Sequence, residues 1–239
     1  MNSVSQEGLA DWAGPILSGA LTTLEIALLA YAIGLVLGLI GAGCRLSPWA
    51  PLRAIGTLYS TAVRAVPELL LIILLYYAGS QALTALANQL GFSGAVTING
   101  FVTAVGVLAF VQGAYMTEVL RGAILAIPRG QLEAADAFGF SPWARFHRIT
   151  LPALLPNALP GMSNLWLILI KDTALISVIG YSELFFTVQQ AASSTRSHFL
   201  FYSAAGVLYL IMTLSSTALF KRLEQRVRRG QPALNTEEA

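Results

Sequence analysis

The sequence predicts an all-α polytopic membrane protein with five transmembrane helices, on three observations. Of its 239 residues, 56% are hydrophobic and only 11% are charged, where a soluble domain carries about 25% charged residues. Long uncharged stretches recur along the chain, each near the roughly 20 residues that a helix needs to cross a bilayer. All the arginines and lysines except Lys171 and Arg196 fall in alternate loops. In lipid a backbone must satisfy its own polar groups, so helices packed by small residues are the architecture open to such a chain.

Taken in order, the N-terminal stretch has no basic region and carries Glu7 and Asp11, unlike a cleavable signal peptide. Residues 1–18 are therefore expected to lie outside, ahead of a membrane domain over 19–220. Span one is expected near Gly19 to Ala42, where Gly34, Gly38 and Gly41 allow close helix contact. The uncharged run from Leu69 to Thr117 is too long for one helix and is split at the polar stretch ANQLGFSGAVTING. Span two is placed near Thr57 to Ser80 and span three near Gly100 to Leu125. Span four runs near Ala158 to Gly180 around Lys171 and Asp172, and span five runs from Phe199 to Phe220. A basic tail, 221–239, closes the chain.

The positive-inside rule orients this arrangement. Arg45, Arg53 and Arg64 go with the first loop, and Arg121, Arg129, Arg145 and Arg148 with the third. Lys221, Arg222, Arg226, Arg228 and Arg229 follow the last span. With five spans these three regions share one side, which is then the cytoplasm. The N-terminus is expected outside and the C-terminus inside.

Several functions are disfavoured. Cys44 is the single cysteine, and His147 and His198 lack ligand-spaced neighbours, so no metal or other cofactor is expected. No phosphate-binding G-x-x-x-x-G-K-[ST] loop occurs, and a net charge of +2 suggests no nucleic-acid partner. A membrane enzyme using Glu68, Glu118 and Asp172 as acid/base groups would need a nucleophile or metal set that is not found. An ion-coupled secondary transporter is the alternative, although the inverted internal repeat of such proteins is not visible.

Ionisable residues inside spans cost several kcal/mol, on the order of 3, and each needs a reason. Glu68, just after Pro67, and Asp172 beside Lys171 are expected at similar mid-membrane depth, where a carboxylate pair next to a disturbed helix suits a cationic substrate. The competing readings are an ion pair of Glu68 with Arg64 and a structural contact of Asp172 with Lys171. Glu118 with Arg121 one turn on reads as a structural pair or gate brace. Tyr76, Tyr77, Trp166 and Tyr181 are candidates to line a cavity, or else packing and interface anchors.

Residues 128–152 form the longest cytoplasmic loop. Pro128 ends span three, Gln131 to Phe138 reads as a short helix, and Gly139 as its stop. Ser141 and Pro142 then open a second short helix, WARFHRIT, expected to end at Leu151 and Pro152. Physical reading alone leaves this loop as a docking element or as a linker on the lipid surface.

Here the residues carry a resemblance. Glu133, Ala134 and Ala135, then Gly139, then Ile149-x-Leu151-Pro152, resemble the EAA motif of bacterial ABC importer permeases. RAVPELLLIILLYY, GAYMTEVLRGAI and KDTALISVIG are similar to segments of polar amino acid permeases, in particular the Q-type subunits of histidine/lysine/arginine/ornithine and octopine/nopaline systems. One departure is Ala65, where many relatives carry glycine. The resemblance implies a non-catalytic permease subunit of a binding-protein-dependent importer of basic amino acids or opines, in the bacterial inner membrane. Its implied partners are a second permease subunit, as hetero- or homodimer, two copies of a cytoplasmic ATPase, and a periplasmic solute-binding protein. Glu133, Ala134, Ala135, Gly139, Arg145 and Arg148 would couple to the ATPase. Glu68, Asp172, Lys171 and Tyr77 would meet substrate, and Glu118, Arg121, Arg64 and Pro67 would brace a gate.

Overall fold

In a computed structural model, which describes residues 9–89 and 99–228, every regular element is helical. The order is α1 (Leu9–Leu46), α2 (Ala50–Ala65), α3 (Glu68–Gln89), α4 (Gly100–Leu125), α5 (Arg129–Ala137) and α6 (Pro142–Arg145). A π turn (Phe146–Thr150), α7 (Leu151–Asp172), a 3-10 segment (Thr173–Ile179), α8 (Leu184–Thr195) and α9 (His198–Val227) follow. Among the described residues, five helical stretches are long and apolar enough to cross a membrane: Leu9–Leu46, Glu68–Gln89, Gly100–Leu125, Pro142–Ile179 and His198–Val227. The expectations for Glu7, for most of the split in ANQLGFSGAVTING and for the tail from Arg229 onward lie outside the described residues.

Helix α4 is the centre of the bundle, with α1 as its closest neighbour. Between helices in lipid there is little hydrophobic drive, so close packing of small residues must hold them. A Cβ on Gly38 would stand 2.5 Å from Met116 Cγ, one on Gly34 3.0 Å from Gln112 Cγ, and one on Gly41 would overlap the Thr117 side chain. Gly113 does the reverse service for α1, since a Cβ there would lie 2.7 Å from Leu37 Cβ. Helix α7 packs on the far side of α4, where Gly161 admits Val119. Tyr31 ties α1 to α7 by donating its hydroxyl to the Met162 carbonyl (3.0 Å) and by an edge-to-face contact with Trp166.

Three expectations need correction. Span two is not one helix through Pro67. Val66 is extended (φ −101°, ψ 138°) because the residue before a proline is forced out of the helical region, so α2 stops at Ala65 and α3 starts at Glu68. Helix α2 is instead amphipathic, burying Gly56, Ser60 and Val63 against its neighbours.

The second short helix of the 128–152 segment does not end at Pro152. The chain stays helical from Pro142 into α7, because the Leu151 N–H bonds back to the Phe146 carbonyl, five residues away. That wider turn relieves the crowding a proline ring causes in the turn behind it. The fourth crossing therefore starts earlier than expected and tightens into 3-10 geometry at Thr173. It stops at Gly180, whose φ of +78° is left-handed.

The segment before span five is also more than a loop. Helix α8 buries Leu184, Val188, Ala191 and Ala192 against Ile16 of α1 and Phe201 and Ala205 of α9. Its N-cap is Glu183, which is fully buried. The carboxylate accepts from the Phe186 N–H (2.8 Å) and the Thr23 hydroxyl (3.0 Å), and Tyr209 donates from 3.4 Å. One acidic side chain thus joins α1, α8 and α9.

Candidate functional site

A partly enclosed cavity of about 150 Å³ lies between α3, α4 and α7. Leu108, Val111, Gln112 and Tyr115 line it from α4, and Leu165, Ile168, Leu169 and Asp172 from α7. Both sets follow the i, i+3, i+4, i+7 spacing that puts residues on one helical stripe. Glu68 completes the wall from the first turn of α3. The lining from Leu108 to Tyr115 sits around the middle of α4, so the cavity lies midway through the bundle. Glu68 and Asp172 thus share one small cavity with Tyr115. Two acids this close repel each other when both are ionised, and a cation placed between them relieves that cost.

Next to this cavity stands a hub of charge. Glu118 of α4 is bridged to Arg45 of α1, to Arg121 Nε at 3.2 Å and to Arg64 of α2 at 3.8 Å. Arg45 also donates to Ser60 Oγ at 2.8 Å. Arg64 lies over the Tyr115 ring, 5.8 Å from its centroid, so Tyr115 touches both the hub and the cavity. The acid thereby fixes the ends of α1 and α2 against α4.

The 128–152 segment has its own internal order. Gly139 (φ +72°) ends α5 in a paired motif. Its N–H bonds to the Asp136 carbonyl at 3.0 Å, and the Phe140 N–H bonds to that of Ala135 at 3.1 Å. Ser141 caps α6 by accepting from the Ala144 N–H, and Arg145 forks onto both oxygens of Asp136 at 2.6 Å. Glu133 and Ala134 are exposed, whereas Ala135 is buried. Phe138 and Trp143, 84% and 73% exposed, leave an apolar surface without cover in this chain.

Residues 13–229 match the family model described as binding-protein-dependent transport system inner membrane component. The chain belongs to that family. It is 40% identical to the nopaline transport system permease protein NocQ of Agrobacterium fabrum, over 94% of this chain and 96% of the relative. It is 39% identical to the histidine/lysine/arginine/ornithine transport system permease protein HisQ of Salmonella typhimurium, over 91% and 95%. The fold is similar to a crystal structure of an amino acid ABC transporter with histidines. The TM-score is 0.78 with 28% identity, covering 91% of this chain and 96% of that one. The protein is accordingly a multi-pass, non-catalytic membrane permease subunit, in a family whose ATPase is a separate chain.

In this permease the residues singled out from sequence divide sharply. Glu68 and Asp172 meet in one cavity, but Glu68 opens α3 and does not sit within a continuous helix. Pro67 is the break that puts it there. Arg64 pairs with Glu118, not with Glu68. Lys171, next in sequence to Asp172, points elsewhere and lines a separate recess with Phe185, Tyr202 and Tyr209. Tyr77 stacks edge-on to Tyr76 and is 55% exposed, nine residues or roughly 14 Å along α3 from Glu68. Neither lines the carboxylate cavity. Arg145, expected to offer its charge outward, spends it on Asp136, while Arg148 lines a shallow recess with Gln131 and Pro152.

Gln112 and Tyr115 line the cavity and were not singled out from sequence. The reading of the spans weighed charged groups and four aromatics, yet an uncharged amide is also costly there. The i, i+3 spacing of Gln112 and Tyr115 in the otherwise apolar FVQGAYM was the readable signal.

Proposed function

We propose that this permease serves an ATP-driven, binding-protein-dependent importer of polar amino acids or opines that carry a cationic group, and that the Glu68–Asp172 cavity receives the cation. The observation that carries the reading is that two acidic residues, Glu68 and Asp172, line one small cavity midway through the bundle. The names of the relatives support it, because nopaline, octopine, histidine, lysine, arginine and ornithine systems are all among them. The bacterial inner membrane follows from the family description.

The basic residues favour an N-terminus outside and a C-terminus in the cytoplasm. On that orientation the 128–152 segment faces the cytoplasm. Its exposed Glu133, Ala134, Phe138 and Trp143 suit docking to a separate ATPase, and the Arg145–Asp136 fork keeps the two short helices rigid for that role. Five spans supply half of a path, so a second permease subunit, two ATPase copies and a solute-binding protein complete the machine. Glu118 with Arg45, Arg64 and Arg121 braces the cytoplasmic side of the cavity.

Uptake in membrane vesicles containing the full transporter tests the site. Glu68→Gln and Asp172→Asn should each weaken uptake of arginine at least tenfold with assembly intact. Normal arginine uptake by both variants would sink the assignment.

A further inference from the structure

We infer that Gln112 reads the carboxylate of the ligand whose cationic group Glu68 and Asp172 hold, so that the cavity selects an amino acid over the matching decarboxylated amine. The inference rests on the cationic amino acid reading above and adds a third, differently charged contact to it. Gln112 is 3% exposed and lines the cavity, and its Nε2 has no hydrogen-bond partner among the described residues. Buried polar groups are nearly always paired, and an unpaired one is expensive to keep. A ligand in the cavity that accepts from this amide would supply the partner it lacks.

The two acids do not do so, although they share the cavity and are acceptors when ionised. The Gln112 stem is also confined. Gly34 brings α1 so close that an added Cβ would lie 3.0 Å from Gln112 Cγ and 3.1 Å from its Cβ, so the side chain has little room to swing toward α1. A pair of acids beside one confined donor complements a ligand that carries both a cation and a carboxylate. A site meant for amines alone would need only the acids.

The test is ligand binding to the purified full transporter, using radiolabelled L-arginine competed by agmatine, and L-lysine competed by cadaverine. In the wild type each amino acid should outcompete its amine by about tenfold to a hundredfold, the worth of one hydrogen bond to a charged group. Gln112→Met keeps the volume and removes the donor. It should bring arginine down to the level of agmatine while leaving agmatine unchanged. Gln112→Glu should invert the preference.

Equal weakening of acid and amine in Gln112→Met would overturn the inference, since the amide would then only hold the carboxylates or a water. Unchanged arginine binding would overturn it as well. Glu68→Gln and Asp172→Asn are read in parallel, where both members of each pair should weaken together. If those variants bind normally, the cation reading fails whatever Gln112 does. Binding of none of the four compounds by the wild type would overturn both.

Discussion

Gly38→Ala puts a methyl group 2.5 Å from Met116 Cγ and 2.6 Å from Met116 Cβ. Carbon atoms pack best about 3.5–4.0 Å apart, so α1 and α4 would have to separate by roughly 1 Å. Met116 is fully buried, and its carbonyl carbon, at 3.1 Å, is also in the way, so a change of rotamer does not clear the space. Overpacking of this kind costs about 1–3 kcal/mol, and the better helix propensity of alanine returns about 1 kcal/mol. Gly43 on the same helix meets nothing within 4 Å, so Gly43→Ala should only gain. The two variants should differ by about 2 kcal/mol, or roughly 4–8 °C at the ~2–4 °C per kcal/mol of a protein this size. Thermal loss of monodisperse protein in detergent measures this. If the two variants melt together, the glycine face does not set the α1–α4 distance.

Three further outcomes are expected. Glu118→Gln leaves three arginines around a neutral amide and should cost about 1–2 kcal/mol, less than the ~3–5 of a fully buried pair because Glu118 is 19% exposed. Adding Arg45→Gln should restore part of that in thermal melts, and simple addition of the two losses would refute the hub. Gly139→Ala forces a Cβ into left-handed backbone at about 1–2 kcal/mol, whereas asparagine tolerates that geometry. ATPase co-purification should fall for alanine and hold for asparagine, and equal yields would argue against a geometric role. Finally, Glu183 lies outside the membrane-spanning helices, and burial pushes its carboxyl above the ordinary 4.5, against the pull of the Phe185 and Phe186 N–H groups. A raised carboxyl contributes stability that is full below 4.5 and is lost as pH rises through the folded value. Glu183→Gln should flatten that part of the melting profile. A wild-type midpoint that rises over the same range would reverse the sign.

Much of the fold was legible because lipid leaves a chain few options. Uncharged length gave the crossings, and Gly34, Gly38 and Gly41 announced the close contact with α4. What was not legible were the irregularities that depend on local backbone geometry. Pro67 broke a helix that hydropathy alone ran straight through, while Pro152, just as visible, broke nothing because a π turn absorbed it. Charge inside the spans pointed to Glu68 and Asp172, and the two line one cavity. Lys171 lines a different recess because neighbours in a helix point about 100° apart, and adjacency in sequence is not adjacency in space. Nothing in the sequence around Glu183 marks it as a buried cap, and only the packing of α8 over it shows that.

Glu68 is the first residue after the Val66–Pro67 interruption, and Asp172 is the last before α7 gives way to 3-10 geometry. Each acid is mounted at a joint and not along a rod. The gap between them is therefore set by the angles at two joints, and a small bend at either opens or closes it without breaking a helix. On the proposed cation reading, grip becomes a property of posture: firm where the joints bring the acids together, and surrendered where they swing apart.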